Sequence, residues 1–148
     1  MKHIQCVLLM LSLPAFAATS LAVASPASSD VQDEHCPLPE QIQVLPHGLY
    51  RADSSSGRQW LGVAQGDVGG AVEGFVSALF YSEQGAETVG TLRGCRYALQ
   101  RGDVSLDYGS GSERVSLQNL PAWARRTGPF GIVYYECAGP AASCRFRP

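Results

Sequence analysis

Apolar and polar residues alternate along several short segments of the chain. Val104, Leu106 and Tyr108 are separated by polar residues, and Val115 and Leu117 repeat the pattern. Such alternation is typical of a β-strand with one buried face and one solvent-exposed face. Clusters of glycine, serine and proline separate these segments and indicate turns. The pattern therefore predicts antiparallel β-structure.

One apolar run fits either a helix or a strand. Val72, Phe75 and Leu79 lie at helical spacing, but the run is short and rich in aromatic and β-branched residues. Gly74 would weaken a helix by about 1 kcal/mol relative to alanine. We predict a strand over Val72–Tyr81 that is buried on both faces.

Two longer segments complete the pattern. Thr88–Leu99 is expected to form a long strand, with a bulge or bend at Gly90 and Gly94. Leu120–Phe130 breaks the alternation, and we expect one helical turn there around Trp123.

The segments together predict the fold class. We expect a mainly β fold, a single antiparallel β-sandwich or barrel-like domain of about eight short strands, stapled by two disulfides. This domain takes up residues 36–148, enough for one hydrophobic core. Residues 25–35 are polar and acidic and are expected to form a flexible leader.

The N-terminus has the features of a secretory signal peptide. A short basic start is followed by an apolar centre over Ile4–Leu13 and by small residues that end at Ala24. A membrane anchor is the alternative, but the apolar centre is about half the length that a bilayer span requires. We therefore predict a signal peptide over 1–24, no stable membrane insertion, and a periplasmic or secreted mature chain.

Cysteine usage agrees with export. Cleavage would remove Cys6 and leave Cys36, Cys95, Cys137 and Cys144, an even number in an oxidising compartment. We favour Cys36–Cys95 and Cys137–Cys144, the second across a short turn between two strand-like runs, while the other connectivities remain open. No two of these cysteines have C-x2-C spacing, so neither a zinc site nor any other metal or cofactor is expected.

The charge balance argues against nucleic acid as a partner. The chain has 11 basic and 13 acidic residues, and Lys2, within the predicted signal, is its only lysine. The mature chain is therefore mildly acidic, whereas general nucleic-acid binding requires a basic surface.

No catalytic set is evident, and we predict that the chain is not an enzyme. The histidines of the mature chain are His35 and His47, paired cysteines would leave no nucleophilic thiolate, and no serine lies in a G-x-S-x-G motif. Asp103 and Asp107 share one strand face, where a solvated position is the simpler interpretation than a carboxylate pair.

Arginine and aromatic residues concentrate near the C-terminus. These residue types are enriched in binding surfaces because they contribute much of the contact energy. The alternative interpretation is that the aromatic rings belong to the core and the arginines are solvated. The candidate binding residues are Trp123, Arg125, Arg126, Tyr135, Arg145 and Arg147.

These features favour an exported, non-enzymatic protein-binding module. Its partner would be another exported protein, and the subtype we favour is an inhibitor or immunity-type partner of a toxin or envelope hydrolase. One alternative is a carbohydrate or cell-envelope binder that uses Trp60, Trp123 and exposed tyrosines. Another is a small secreted hydrolase with His47 as its base.

A scattered motif set runs through the first part of the domain. It comprises Cys36-Pro37, Gly48-Leu49-Tyr50-Arg51-Ala52, Gly57-x-x-Trp60-x-Gly62, Phe75-x-x-Ala78 and Gly90-x-Leu92-x-x-Cys95-x-Tyr97. With these residues the chain resembles a family of small exported bacterial proteins catalogued as a domain of unknown function. The resemblance covers Cys36 to about Leu106 and implies export and a small disulfide-bonded fold. It implies no activity and no catalytic residues.

Overall fold

The computed structural model describes residues 32–84 and 86–148. The predicted signal peptide over 1–24, the first residues of the predicted leader and Cys6 lie outside the described residues. Glu34 and His35, which we assigned to a flexible leader, instead form a short strand, and Glu34 is buried. The folded domain therefore begins before Cys36.

The fold is mainly β, as predicted. Five single-turn 3-10 helices connect or flank the strands, at Pro39–Gln41, Pro46–Gly48, Leu120–Ala122, Pro129–Gly131 and Ala141–Ser143. The described residues form eleven strands, which are β1 Glu34–His35, β2 Gln43–Leu45, β3 Leu49–Asp53, β4 Gln59–Val63, β5 Gly69–Glu83, β6 Ala86–Arg101, β7 Asp103–Tyr108, β8 Arg114–Leu117, β9 Ala124–Thr127, β10 Val133–Cys137 and β11 Arg145–Arg147.

The ambiguous run over Val72–Tyr81 is a strand, as predicted, within the longer β5. Burial on both faces is confirmed only around 77–80, since much of the rest of β5 is partly exposed. The described part of the chain has three strands more than the expected eight: β1 and β9 lie in segments predicted to be irregular, and β2 is a short strand of three residues. The turn expected around Trp123 ends at Ala122, and β9 begins at Ala124.

Strand β6 is the centre of the sheet. One of its edges pairs with β5. Its other edge pairs with β8 over Val89–Thr91 and with β7 over Cys95–Ala98. Two arms diverge from this edge, β8–β11–β1 and β7–β4–β3–β2, while β5 continues into β10 and β9 on the opposite side. The result is an antiparallel sheet curled into a half-barrel.

Strand β6 bends at Gly94, as predicted, while Gly90 allows it to approach β5 closely. The register with β5 shifts between Gly94 and Leu92, which leaves Arg93 as the extra residue of a β-bulge. Gly94 has φ +121°, and a Cβ there would lie 2.6 Å from Ser105 Oγ. At Gly90 a Cβ would collide with the carbonyl oxygen of Tyr81 on β5. Only glycine fits either position without a shift of the backbone.

An aromatic cluster joins the two arms. Trp60 of β4 and Tyr108 of β7 pack against Phe146 of β11, with ring centroids 5.9 Å and 5.0 Å from that of Phe146. All three side chains are fully buried. Edge-to-face contacts of this kind add to the free energy gained from burial of the ring area. The cluster therefore holds the arms against each other.

Both disulfides have the predicted pairing. Cys36–Cys95 attaches the N-terminal segment to β6, next to a hydrogen bond that the Tyr97 hydroxyl donates to the Pro37 carbonyl at 2.6 Å. Burial raises the pKa of the Tyr97 hydroxyl well above its usual range. The phenol therefore stays protonated and keeps donating this bond.

The expectation that Cys137 and Cys144 lie on the two strands of one hairpin is wrong. Strand β10 pairs with β5 and β9, whereas β11 pairs with β8 and β1. The Cys137–Cys144 bond therefore links two different branches of the sheet rather than the two sides of one hairpin. The short loop between the cysteines made the bond predictable without showing which strands are neighbours.

The buried carboxylate of Glu34 closes the end of the half-barrel. The backbone N–H of Ser56 donates to it at 2.6 Å and that of Ser55 at 3.3 Å. These serines lie in the β3–β4 loop of one arm, whereas Glu34 lies on β1, the last strand of the other. The contact therefore connects the two arms.

We expect the two disulfides to differ in their effect on stability. In the chain-entropy model, a bond across 59 residues contributes about 4 kcal/mol and one across 7 residues about 2.5 kcal/mol. Chemical denaturation should therefore show a larger loss for the Cys36→Ser/Cys95→Ser variant than for Cys137→Ser/Cys144→Ser. Equal losses would contradict this expectation.

Removal of the Glu34 carboxylate should open the barrel end. Glu34→Ala leaves two backbone donors without their acceptor, so the free energy of unfolding should fall by about 2 to 3 kcal/mol. Glu34→Gln keeps one acceptor oxygen and should lose about half as much. Glu40→Ala, at an exposed acidic position, is the matched control and should change little. A loss for Glu34→Ala no larger than the control's would show that the contact does not stabilise the fold.

Candidate functional site

Two of the candidate binding residues lie in the core. Trp123 and Tyr135 are only 5% and 7% exposed, and both rings contact Phe80 of β5. The Trp123 indole N–H donates to the carbonyl oxygens of Gln118 and Arg145. For these two aromatics the structure agrees with the core interpretation, because neither presents its ring face to solvent.

The arginines of β11 contact the N-terminal segment. Arg147 donates from Nη2 and Nε to Asp33 Oδ1, at 2.7 Å and 3.0 Å, and Arg145 Nη2 lies 3.9 Å from the other carboxylate oxygen. Their side chains are partly exposed. Within the described residues their clearest role is to secure the start of the fold.

Arg125 and Arg126 lie together on β9, away from Asp33. Both side chains are about half exposed. Arg125 Nε lies 3.8 Å from Glu87, and Arg126 Nε lies 3.4 Å from Glu136. Of the six candidates, only these two lie on the strand that leads into the exposed loop between β9 and β10.

This loop is the β9–β10 tip, which we define as residues Gly128–Ile132. Phe130 at its apex is fully exposed, and Ile132 is half exposed. Phe130 also has φ +58°, a left-handed conformation that costs a non-glycine residue about 1 to 2 kcal/mol. Phe130 belongs to the C-terminal segment rich in arginine and aromatic residues but is not one of the six candidate residues. An aromatic residue inside Gly128-Pro129-Phe130-Gly131 was the available signal, since glycine and proline mark a turn.

A cleft separates the β9–β10 tip from the end of the β5–β6 hairpin. Its volume is about 540 Å³. One side is apolar and the other carries carboxylates and amides. It is lined by Ser82, Glu83, Gln84, Glu87, Phe130, Gly131, Ile132 and Val133.

The ion pair beside this cleft involves Glu83. Arg114 of β8 donates to both carboxylate oxygens of Glu83, from Nε at 2.9 Å and from Nη2 at 3.0 Å. This hydrogen bonding lowers the pKa of the Glu83 carboxyl below its ordinary value. The ion pair therefore favours the fold above that ordinary pKa, and the contribution is lost as the pH falls through the lowered value.

The remaining residues considered for chemistry are dispersed. His47 is exposed in a turn, and His35 Nδ1 lies 2.7 Å from the Cys36 carbonyl oxygen. Asp103 lies 3.7 Å from Arg96. Among the described residues, no three His, Cys, Asp or Glu side chains converge as metal ligands would. Nor does this part of the chain contain a helix long and apolar enough to cross a bilayer.

The fold and the exposed tip together define a class, a small disulfide-bonded β domain with a projecting apolar loop. Its two disulfides indicate a non-reducing, extracellular-type environment. The chain belongs to the family described as "Protein of unknown function (DUF3757)", whose model matches residues 30–147. Comparison with curated proteins and with solved structures gives no match.

The family match confirms the resemblance found in the sequence and extends it. The motif set covered Cys36 to about Leu106, whereas the family model continues through the C-terminal strands. It also begins before Cys36, in agreement with the folded position of Glu34. The β9–β10 tip thus lies within the family domain.

The conformation of Phe130 yields a stability prediction. Phe130→Gly removes the left-handed strain and no buried contact, so the free energy of unfolding should stay unchanged or rise by up to about 1 kcal/mol. Ile132→Gly is the matched control, because Ile132 has φ −64° and glycine there should lower stability by about 1 kcal/mol. Equal losses in the two variants, measured by urea denaturation, would argue against strain at Phe130.

Proposed function

We propose that this chain is an exported, non-enzymatic protein-binding module whose contact surface is the β9–β10 tip. The observation that carries the proposal is the full exposure of Phe130 in a left-handed backbone conformation. A large apolar ring held in solvent at a conformational cost has no evident stabilising role in the monomer. Strained positions of this kind cluster at ligand contacts.

The energetics of association support the same surface. Burial of a phenylalanine side chain against a partner contributes about 1.5 to 3 kcal/mol. Aromatic residues are enriched in interfaces. The tip connects β9 with β10, and the Cys137–Cys144 disulfide bonds the end of β10 to the start of β11. A loop held in this way loses less conformational freedom on binding than a mobile one.

Export is part of the proposal. The signal peptide predicted over 1–24 and the two disulfides support it. The subtype that we favour is an inhibitor or immunity-type partner of an exported toxin or envelope hydrolase. A rigid domain that presents one projecting apolar loop could enter a cleft in such a protein.

The two alternatives have less support. A carbohydrate binder would stack sugar rings on Trp60, Trp123 and exposed tyrosines, but the two tryptophans are 1% and 5% exposed and belong to the core, and Tyr81 is 39% exposed. A hydrolase would depend on His47 as its base, and this histidine is exposed in a turn. We therefore retain one candidate function.

Site-specific photo-crosslinking tests the proposed contact. Replacement of Phe130 by the photoreactive analogue p-benzoylphenylalanine keeps an aromatic ring at the tip. In irradiated cells of the native host we expect a discrete adduct with another exported protein, identified by mass spectrometry.

The control places the same analogue at Val63, which is 59% exposed on β4 and far along the chain from the tip. We expect no discrete adduct from this position. No adduct from position 130, or the same adducts from both positions, would refute the tip as the contact surface.

A further inference from the structure

Strand β9 forms an open edge of the sheet. Among the described residues it pairs only with β10, and all four of its residues are exposed. The Gly128 N–H donates to the Ile132 carbonyl at 2.8 Å, and the register pairs Arg126 with Tyr134. Hydrogen-bonded pairs alternate along an antiparallel ladder, so the backbone groups of Ala124 and Arg126 face β10.

The backbone groups of the intervening residues point the other way. The N–H and C=O groups of Arg125 and Thr127 are directed away from β10, into solvent. A row of unpaired donors and acceptors on an edge is a template for an added strand. This edge leads directly into the β9–β10 tip, so an added strand would end next to the tip.

Charge at the edge selects the kind of strand that could be added. Arg125 and Arg126 give β9 two positive charges and no negative charge. Their acidic neighbours Glu87 and Glu136 lie behind the edge, on β6 and β10, at 3.8 Å and 3.4 Å. Antiparallel pairing with β9 of a second copy would place arginines opposite arginines, which is destabilising. An acidic partner is favoured instead.

We propose that β9 binds an extended acidic segment of another protein by strand addition. Main-chain hydrogen bonds to Arg125 and Thr127 align the segment, and its carboxylates pair with Arg125 and Arg126. The inference rests on the proposed function, because it specifies the partner chemistry of the same surface. The competing role for the two arginines is only to protect an exposed edge from aggregation.

Short capped peptides can distinguish these roles. One peptide carries pairs of adjacent glutamates between valines, so that one glutamate of each pair lies on each face of the sheet, as Arg125 and Arg126 do. The other peptide has lysines in place of the glutamates. In NMR titrations, the glutamate peptide should slow amide exchange at Arg125 and Thr127 roughly tenfold, with little change at Arg126, whose N–H already faces β10. The lysine peptide should produce no such protection. Equal effects of the two peptides, or unchanged exchange at both amides, would overturn the proposal.

A pair of substitutions isolates the main-chain bond. Thr127→Pro removes the outward N–H without removing a bond to β10, and should weaken glutamate-peptide binding by roughly tenfold or more. Thr127→Ala keeps that N–H and should bind like the wild type. Unperturbed β10 amide shifts confirm that the proline variant is folded. Equal affinities of the two variants would overturn strand addition.

The arginine side chains are tested separately. Arg125→Gln/Arg126→Gln should remove the preference for the glutamate peptide, and a preference that persists would overturn the charge argument.

The two proposals fail in different ways. An adduct from position 130 that persists in the Thr127→Pro background, together with no peptide binding at β9, would overturn strand addition and leave the proposed function standing. Loss of a tip adduct alone would overturn the proposed function.

Discussion

The fold depends on one strand that must pair with three others. Strand β6 is bonded to β5 along one edge and shares its other edge between β8 and β7. Two strands paired along the same edge of a straight strand would not diverge from each other. The bulge at Arg93–Gly94 lies between these two pairings and bends the strand, with Gly94 at φ +121°. The immediately following Cys95 fixes the N-terminal segment to the same bend.

This bend separates the molecule into parts with different roles. The two arms that diverge from β6 enclose the aromatic cluster of Trp60, Tyr108 and Phe146, and Glu34 on β1 joins one arm to the β3–β4 loop of the other. The third branch, β5–β10–β9, contributes Phe80 and Tyr135 to the core and then projects its loop. The end of that branch, formed by the β9–β10 tip and strand β9, lies outside the core and is exposed.

The candidate site was only partly predictable from local composition. Arginine and aromatic residues near the C-terminus pointed to the right segment, and Arg125 and Arg126 do lie on an exposed edge. Trp123 and Tyr135 are in the core instead, since a short strand places alternate residues on opposite faces and composition does not say which face is buried. Phe130 lies in no alternating segment, so the sequence pattern does not say whether its ring is buried. Its exposure became clear only when the structure placed the loop outside the sheet.

The amino-acid sequence by itself determined most strands and the bend at Gly94, and it favoured the disulfide pairing that the structure shows. Alternation, glycine chemistry and cysteine spacing are local properties that act before any long-range contact forms. Only the tertiary structure decided which strands are neighbours. In it, β11 lies beside β8 and β1 rather than beside β10. Glu34, which the sequence assigned to a flexible leader, pairs with β11 and accepts a hydrogen bond from Ser56. Strand partners depend on contacts between residues far apart in the chain, and an exposed edge exists only where no such partner is present.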